Sequence, residues 1–215
     1  MKLLIVLFLG AITAFSQPFS AGLKVGTPLT DFVDTVQSGN FNATSTTNRY
    51  IIGVTAELHL PLGLSIEGDV LYRHFSYNSQ SNLVDVVTNV SAKSNAWEFP
   101  ILAKYKFPSK IIRPYVDGGV AWDTLQGLSA SISTLTPING VGSFSTTTSS
   151  TSSPSELKNS TTTGIVFGAG VEVKALLIKI SPEIRYTRWT SQHFTAANLL
   201  NSNQNQAEFL VGITF

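Results

Sequence analysis

His74 and Ser76 carry the sharpest chemical signal in the chain. Two residues apart on an extended segment, they share one side of the backbone. A histidine so placed can take the proton of a serine hydroxyl and prime it as a nucleophile toward an acyl ester. That chemistry also wants a carboxylate to orient the imidazole. Asp85 falls in a connection and Glu98 has the opposite parity, so neither is placed for the role. The pair reads more simply as interfacial, beside Tyr72, and no catalytic residue is assigned. His59 and His193 have no second histidine at metal-ligand spacing, and the chain has no cysteine, so neither a metal nor a cofactor is expected. Gly164, Gly168 and Gly170 lack the following helix that a phosphate-binding loop needs.

The elements that hold these residues show period-two alternation, and eight of them can be read. The first sets Phe19, Ala21, Leu23 and Val25 on one face. The second sets Tyr50, Ile52, Val54, Ala56, Leu58 and Leu60 against Arg49, Glu57 and His59. The third sets Leu64, Ile66, Val70 and Tyr72 against Glu67, Asp69 and Arg73. The fourth is the clearest, with Trp97, Phe99, Ile101, Ala103, Tyr105 and Phe107 against Glu98, Lys104 and Lys106. The fifth sets Val116, Val120 and Trp122 against Asp117 and Asp123. In the sixth, Ile165, Phe167, Ala169, Val171 and Val173 oppose glycines, Glu172 and Lys174. The seventh sets Ile178, Ile180, Ile184 and Tyr186 against Lys179, Glu183 and Arg185. The last sets Ala207, Phe209, Val211, Ile213 and Phe215 against Glu208 and Gly212. No charge falls on the apolar parity of any of these strands.

Residues 1–16 have the pattern of a secretory signal peptide: Lys2, an apolar run from Leu3 to Ile12, and small residues at Ala14 and Ser16. The run is too short for a transmembrane helix, which needs about 20 residues. The expected mature unit is a single domain over 17–215. Charged residues make up 13% of the chain, well below the roughly 25% of ordinary soluble domains. Lys and Arg number 14 and Asp and Glu 13, so loss of Lys2 leaves a neutral protein with no basic field for nucleic acid.

Alternation fits either a soluble exported barrel with its apolar face inward, as in a lipocalin-like carrier of an apolar ligand, or a membrane barrel with that face outward. Four features favour lipid outside. The polar parity mixes charges with glycines. Aromatics gather at both strand ends, Tyr50, Tyr72, Trp97, Trp122 and Tyr186 at one and Phe19, Tyr105, Phe107 and Phe215 at the other. Short connections at 61–63, 108–112 and 175–177 alternate with long ones at 28–48, 77–94, 124–162 and 190–203, as periplasmic turns alternate with external loops. The chain also ends on an aromatic. The expected fold class is all-β: an eight-stranded antiparallel up-and-down transmembrane β-barrel in the bacterial outer membrane.

In Trp97-Glu98-Phe99-Pro100-Ile101-Leu102-Ala103-Lys104-Tyr105, Arg113-Pro114-Tyr115-Val116 with Gly118-Gly119, Ser181-Pro182-Glu183-Ile184-Arg185-Tyr186 and the terminal Phe215, the chain resembles the small outer-membrane β-barrel domain family of the OmpX and OmpA transmembrane-domain type. The resemblance implies the barrel-assembly machinery as a partner during insertion, through the terminal aromatic. The glycine often found five residues before that aromatic is Leu210 here. His74 and Ser76 also resemble the pair in outer-membrane lipid A deacylases, but there the pair lies nearer the C-terminus and has a carboxylate beside it.

Eight strands leave an interior just wide enough for side chains, and the inward acids and bases nearly balance, which predicts a paired ionic plug rather than a pore. The Ser/Thr-rich stretch Ser143–Ser155 reads as an exposed loop. These features predict a structural or surface-interaction role, adhesion- or receptor-like, with outer-membrane lipid and lipopolysaccharide as surroundings and an unspecified external ligand. The rival is an outer-membrane enzyme acting on lipid A or phospholipid acyl chains.

Overall fold

The computed structural model describes residues 18–35, 41–47, 50–83, 86–109, 111–138, 143–152, 157–175, 177–193, 195–196 and 200–215. The predicted signal peptide, Arg49 and Asp85 lie outside the described residues. The strands are β1 (Phe19–Pro28), β2 (Val33–Thr35), β3 (Phe41–Thr47), β4 (Ile51–His59), β5 (Leu64–Leu83), β6 (Val86–Lys106), β7 (Ile112–Ile138), β8 (Ser143–Thr151), β9 (Thr161–Ala175), β10 (Ile178–Trp189), β11 (Thr195–Ala196), β12 (Leu200–Ser202) and β13 (Asn205–Thr214).

Eight of them close a barrel in the order β1, β4, β5, β6, β7, β9, β10, β13, every pair antiparallel, and β13 returns to β1 with Leu23 opposite Ile213. Closure removes the edges whose unpaired amides would be costly in lipid. Among the described residues no helix is long and apolar enough to cross a membrane; the crossing is made by strands. Tight approach of neighbouring backbones sets some residue choices. A Cβ on Gly119 would lie 2.0 Å from the Ile101 carbonyl oxygen. Pro100 and Pro182, which have no N–H to give, coincide with gaps in the β5–β6 and β9–β10 pairings.

The alternation has the sense expected for lipid outside. Leu23, Ile52, Val54, Ile101, Phe167 and Ile184 are each more than half exposed, while Lys24, Asp69, Glu98, Glu183 and Arg185 on the other parity are almost fully buried. This inverts the soluble-protein rule and overturns the lipocalin-like reading. The aromatic rims are present. Tyr72 packs edge-on against Trp97 at one end (centroids 5.1 Å) and Tyr105 against Phe107 at the other (5.1 Å). From Trp97 to Tyr105 the strand has about the length a tilted strand needs to cross the apolar layer, roughly 9–11 residues.

Beyond the Tyr72–Trp97 rim the sequence reading stops too early. The predicted loops 77–94 and 124–162 are largely strand: β5 and β6 pair out to Leu83 and Val86, and β7 runs on to Ile138. Of the stretch predicted as an exposed Ser/Thr loop, Ser143–Thr151 forms β8, paired with β7 from Ala130↔Thr151 to Ile138↔Ser143. With β3 on the outer part of β5, these strands make a five-stranded extension in the order β3, β5, β6, β7, β8. A register shift opposite Lys93 and Asn95, with Gly127 at φ +64°, switches the inward parity of β7 from Leu125 to Ala130.

Candidate functional site

The barrel interior is the most chemically dense region of the molecule, and its side chains fall into three tiers. β1, β5, β6, β7 and β10 aim the central tier inward. Lys24 Nζ lies 2.5 Å from Glu67 Oε1, 3.0 Å from Asp69 Oδ2 and 3.6 Å from Glu183 Oε2. Arg185, with no exposed surface, reaches Glu183 (2.7 Å), Asp69 (2.9 Å) and Glu67 (3.3 Å). Lys104 pairs with Glu67 and lies 4.1 Å from the centroid of the Tyr115 ring, whose hydroxyl donates to Glu183 Oε2 at 3.1 Å. Charges this deeply buried persist only when paired and hydrogen-bonded. Asp117 is the exception: among the described residues its carboxylate has no hydrogen-bond partner.

Toward the long-loop end, buried apolar residues follow, with Ile51, Leu71 and Leu210 on one side and Leu102, Ala121, Val166 and Trp189 on the other. Beyond them stands the second ionic tier, centred on Arg73. Its guanidinium meets Asp123 (2.9 Å), Glu208 (2.9 Å) and Glu98 (3.4 Å), and donates to Gln206 Oε1 at 2.8 Å. Phe32, from the connection between β1 and β2, covers this tier. It stacks on Phe75 with centroids 4.2 Å apart and lies 5.2 Å from the Arg73 guanidinium. His193, read from sequence only as a residue of the last external loop, is folded into the mouth and buried. Its Nε2 sits 3.2 Å from Asp123 Oδ2 and its Nδ1 2.7 Å from the Asn159 carbonyl oxygen. The two connections are tied together by β2 pairing with β12, Asp34 opposite Asn201.

The short-turn end differs. Lys106 pairs with Glu57 (2.8 Å) and Glu172 (2.5 Å), and Arg113 stands 3.9 Å from Glu172. His59 Nδ1 lies 3.4 Å from Glu57, and its Nε2 lies 3.2 Å from Lys179 Nζ. Lys174, read from sequence as inward, is exposed at this rim, next to the end of β9, where it still pairs with Lys179. Neither Lys174 nor Lys179 has a carboxylate within 4 Å among the described residues. A cavity of about 820 Å³ opens here.

His74 and Ser76 do sit on one side of β5, outside the barrel lumen. The His74 ring is 2.8 Å from Asn95 Oδ1, the same amide oxygen that accepts the Tyr72 hydroxyl at 2.9 Å. Asn95 is neutral, so it orients the ring without the charge that stabilises an imidazolium. Glu98 is committed to Arg73 inside the barrel. The inward glycines of β9 relieve crowding. A Cβ on Gly168 would meet Asp117 at 2.3 Å and one on Gly170 would meet the Tyr115 hydroxyl at 2.5 Å. Sequence reasoning missed Phe32, which lies in a connection, and Tyr115, one residue before the fifth strand as read. The inward parity of that strand was the available signal for Tyr115. Among the described residues no three His, Asp or Glu side chains group as a metal-holding set.

A closed antiparallel barrel with ionised groups inside, an apolar exterior and an aromatic rim at each end is a transmembrane β-barrel. The chain matches the family described as outer membrane protein beta-barrel domain over residues 3–215 and belongs to it. In fold it is similar to the outer membrane protein OprG from Pseudomonas aeruginosa, with 11% identity, 91% of this chain and 92% of that one covered, and a TM-score of 0.55. Lower similarity is found to the N-terminal β-barrel domain of Pseudomonas aeruginosa OprF (14% identity, 93% and 98% covered, TM-score 0.37) and to Ail of Yersinia pestis (9%, 92% and 99%, TM-score 0.38). No curated protein sequence matches the chain significantly. The protein resides in the bacterial outer membrane, which puts the short-turn end in the periplasm and the five-stranded extension outside the cell.

Proposed function

We propose that the protein is a plugged structural barrel whose working surface is the polar sheet it raises above the outer leaflet, in an adhesion- or receptor-like role. The observation that carries this reading is the extension itself. Strands β5, β6 and β7 continue past the aromatic rim and gain β3 and β8 as flanks, presenting serine and threonine such as Ser145 to Ser150, all exposed. Ordered, hydrogen-bonding and carrying few charges, such a surface suits contact with an external ligand. The ionic tiers and the Phe32 cover support a closed lumen, since each is filled by side chains rather than lined by them. Lipopolysaccharide and outer-membrane lipid surround the wall, and the barrel-assembly machinery is the partner during insertion, reading the terminal strand that ends in Phe215.

The test replaces β8 (Ser143–Thr151) by a short Gly-Ser linker. The variant is expected to insert and remain heat-modifiable on a gel while cells carrying it lose adherence to matrix-coated surfaces. Unchanged adherence contradicts the proposal. Stable single-channel steps of the purified parent protein in planar bilayers would contradict the plug.

A further inference from the structure

The periplasmic cavity has a composition that neither the ionic plug nor the external sheet uses. One part of its lining is cationic: Lys106, Arg113, Lys174 and Lys179. The carboxylates within reach are Glu57 and Glu172, and Lys106 holds both. Lys179 is steered toward the cavity by His59, whose Nε2 accepts from its ammonium at 3.2 Å while Nδ1 faces Glu57. Two cations, Lys174 and Lys179, therefore have no ion-pair partner within 4 Å among the described residues at this rim. The other part of the lining is apolar: Leu62 in the short turn, 89% exposed, with Leu64, Tyr105 and Phe107 at the aromatic rim. Cationic and apolar walls meet at the Tyr105–Phe107 rim, and aromatic rims mark the membrane–water interface.

We infer that this cavity binds the headgroup of an anionic phospholipid of the inner leaflet, with its phosphate among Lys174, Lys179 and Arg113 and its glycerol and upper acyl chain against Leu62, Leu64 and Tyr105. Basic clusters at the membrane surface attract anionic headgroups, at about 1 kcal/mol per Lys or Arg near the surface. The apolar wall selects an amphiphile over a soluble anion of equal charge. The inference depends on the short-turn end facing the periplasm. It does not depend on a closed lumen or on adhesion, so it can fail while the proposed function stands, and the reverse.

The full chain, folded in neutral detergent, is titrated with short-chain phosphatidylglycerol, with phosphatidylcholine of the same chain length and with pyrophosphate, and bound ligand is counted by native mass spectrometry. Phosphatidylglycerol is expected to bind saturably and at least 5-fold more tightly than either of the others. The double variant Lys174→Gln, Lys179→Gln should weaken it about 10-fold, and Leu62→Ser should weaken phosphatidylglycerol but not pyrophosphate. The double variant Lys93→Gln, Lys158→Gln, an equal charge change at the external end, should leave binding unaltered. Heat-modifiability confirms that each variant is folded. Equal binding of the two lipids, indifference to the double lysine variant, or pyrophosphate binding as tightly as phosphatidylglycerol would each overturn the assignment.

Discussion

The two mouths of this barrel solve opposite problems. At the external mouth one guanidinium, Arg73, faces three carboxylates, and an aromatic ring and a histidine from two separate connections are folded down over them. At the periplasmic mouth cations outnumber carboxylates, the connections are short, and a cavity stays open. The inward charges nearly balance along the whole barrel, as the sequence predicts, but they are graded along its axis. Acid gathers beneath the external surface and base beside the periplasm. A balanced inventory therefore conceals a polarity, which only the register of the strands reveals.

If that contrast is real, the external mouth must be the less forgiving. Arg73→Gln leaves Asp123, Glu98 and Glu208 buried without their guanidinium, and removing one partner of a buried ionic set costs about 3–5 kcal/mol. Urea unfolding in lipid vesicles should report that loss. A change below about 1 kcal/mol would mean that the tier is hydrated and the contrast false. Phe32→Ala should cost less, about 2 kcal/mol, because a connection can partly refill the space that a rigid core cannot. At the periplasmic end Lys179→Gln should shift unfolding by no more than about 0.5 kcal/mol, since no carboxylate is left behind. A loss as large as that from Arg73→Gln would erase the distinction between the two ends.

The membrane-crossing part was legible in the sequence because lipid and lumen impose opposite demands on successive residues. Between Trp97 and Tyr105 every outward residue is apolar or aromatic and both charges, Glu98 and Lys104, point in. That pattern identified all eight barrel strands and nearly all of the inward ions. Farther out, along β8, both faces of the strand are exposed from Ser145 to Ser150, so the alternation disappears. Thr146 to Ser150 therefore looked like loop although they pair with β7. The switch of inward parity at Gly127 hid the continuation of that strand in the same way. Of the external mouth only the ions could be read. Phe32 and His193 reach it from connections at opposite ends of the chain, and no local periodicity marks such a convergence.

The chain has no cysteine, so spin labels can be placed singly along β6 without background. Oxygen accessibility measured at each position from Trp97 to Tyr105 in lipid vesicles is the most direct test of which stripe touches lipid. The structure requires an oscillation of period two with maxima at Trp97, Phe99, Ile101, Ala103 and Tyr105. Maxima at Glu98, Leu102 and Lys104, or no oscillation, would contradict it.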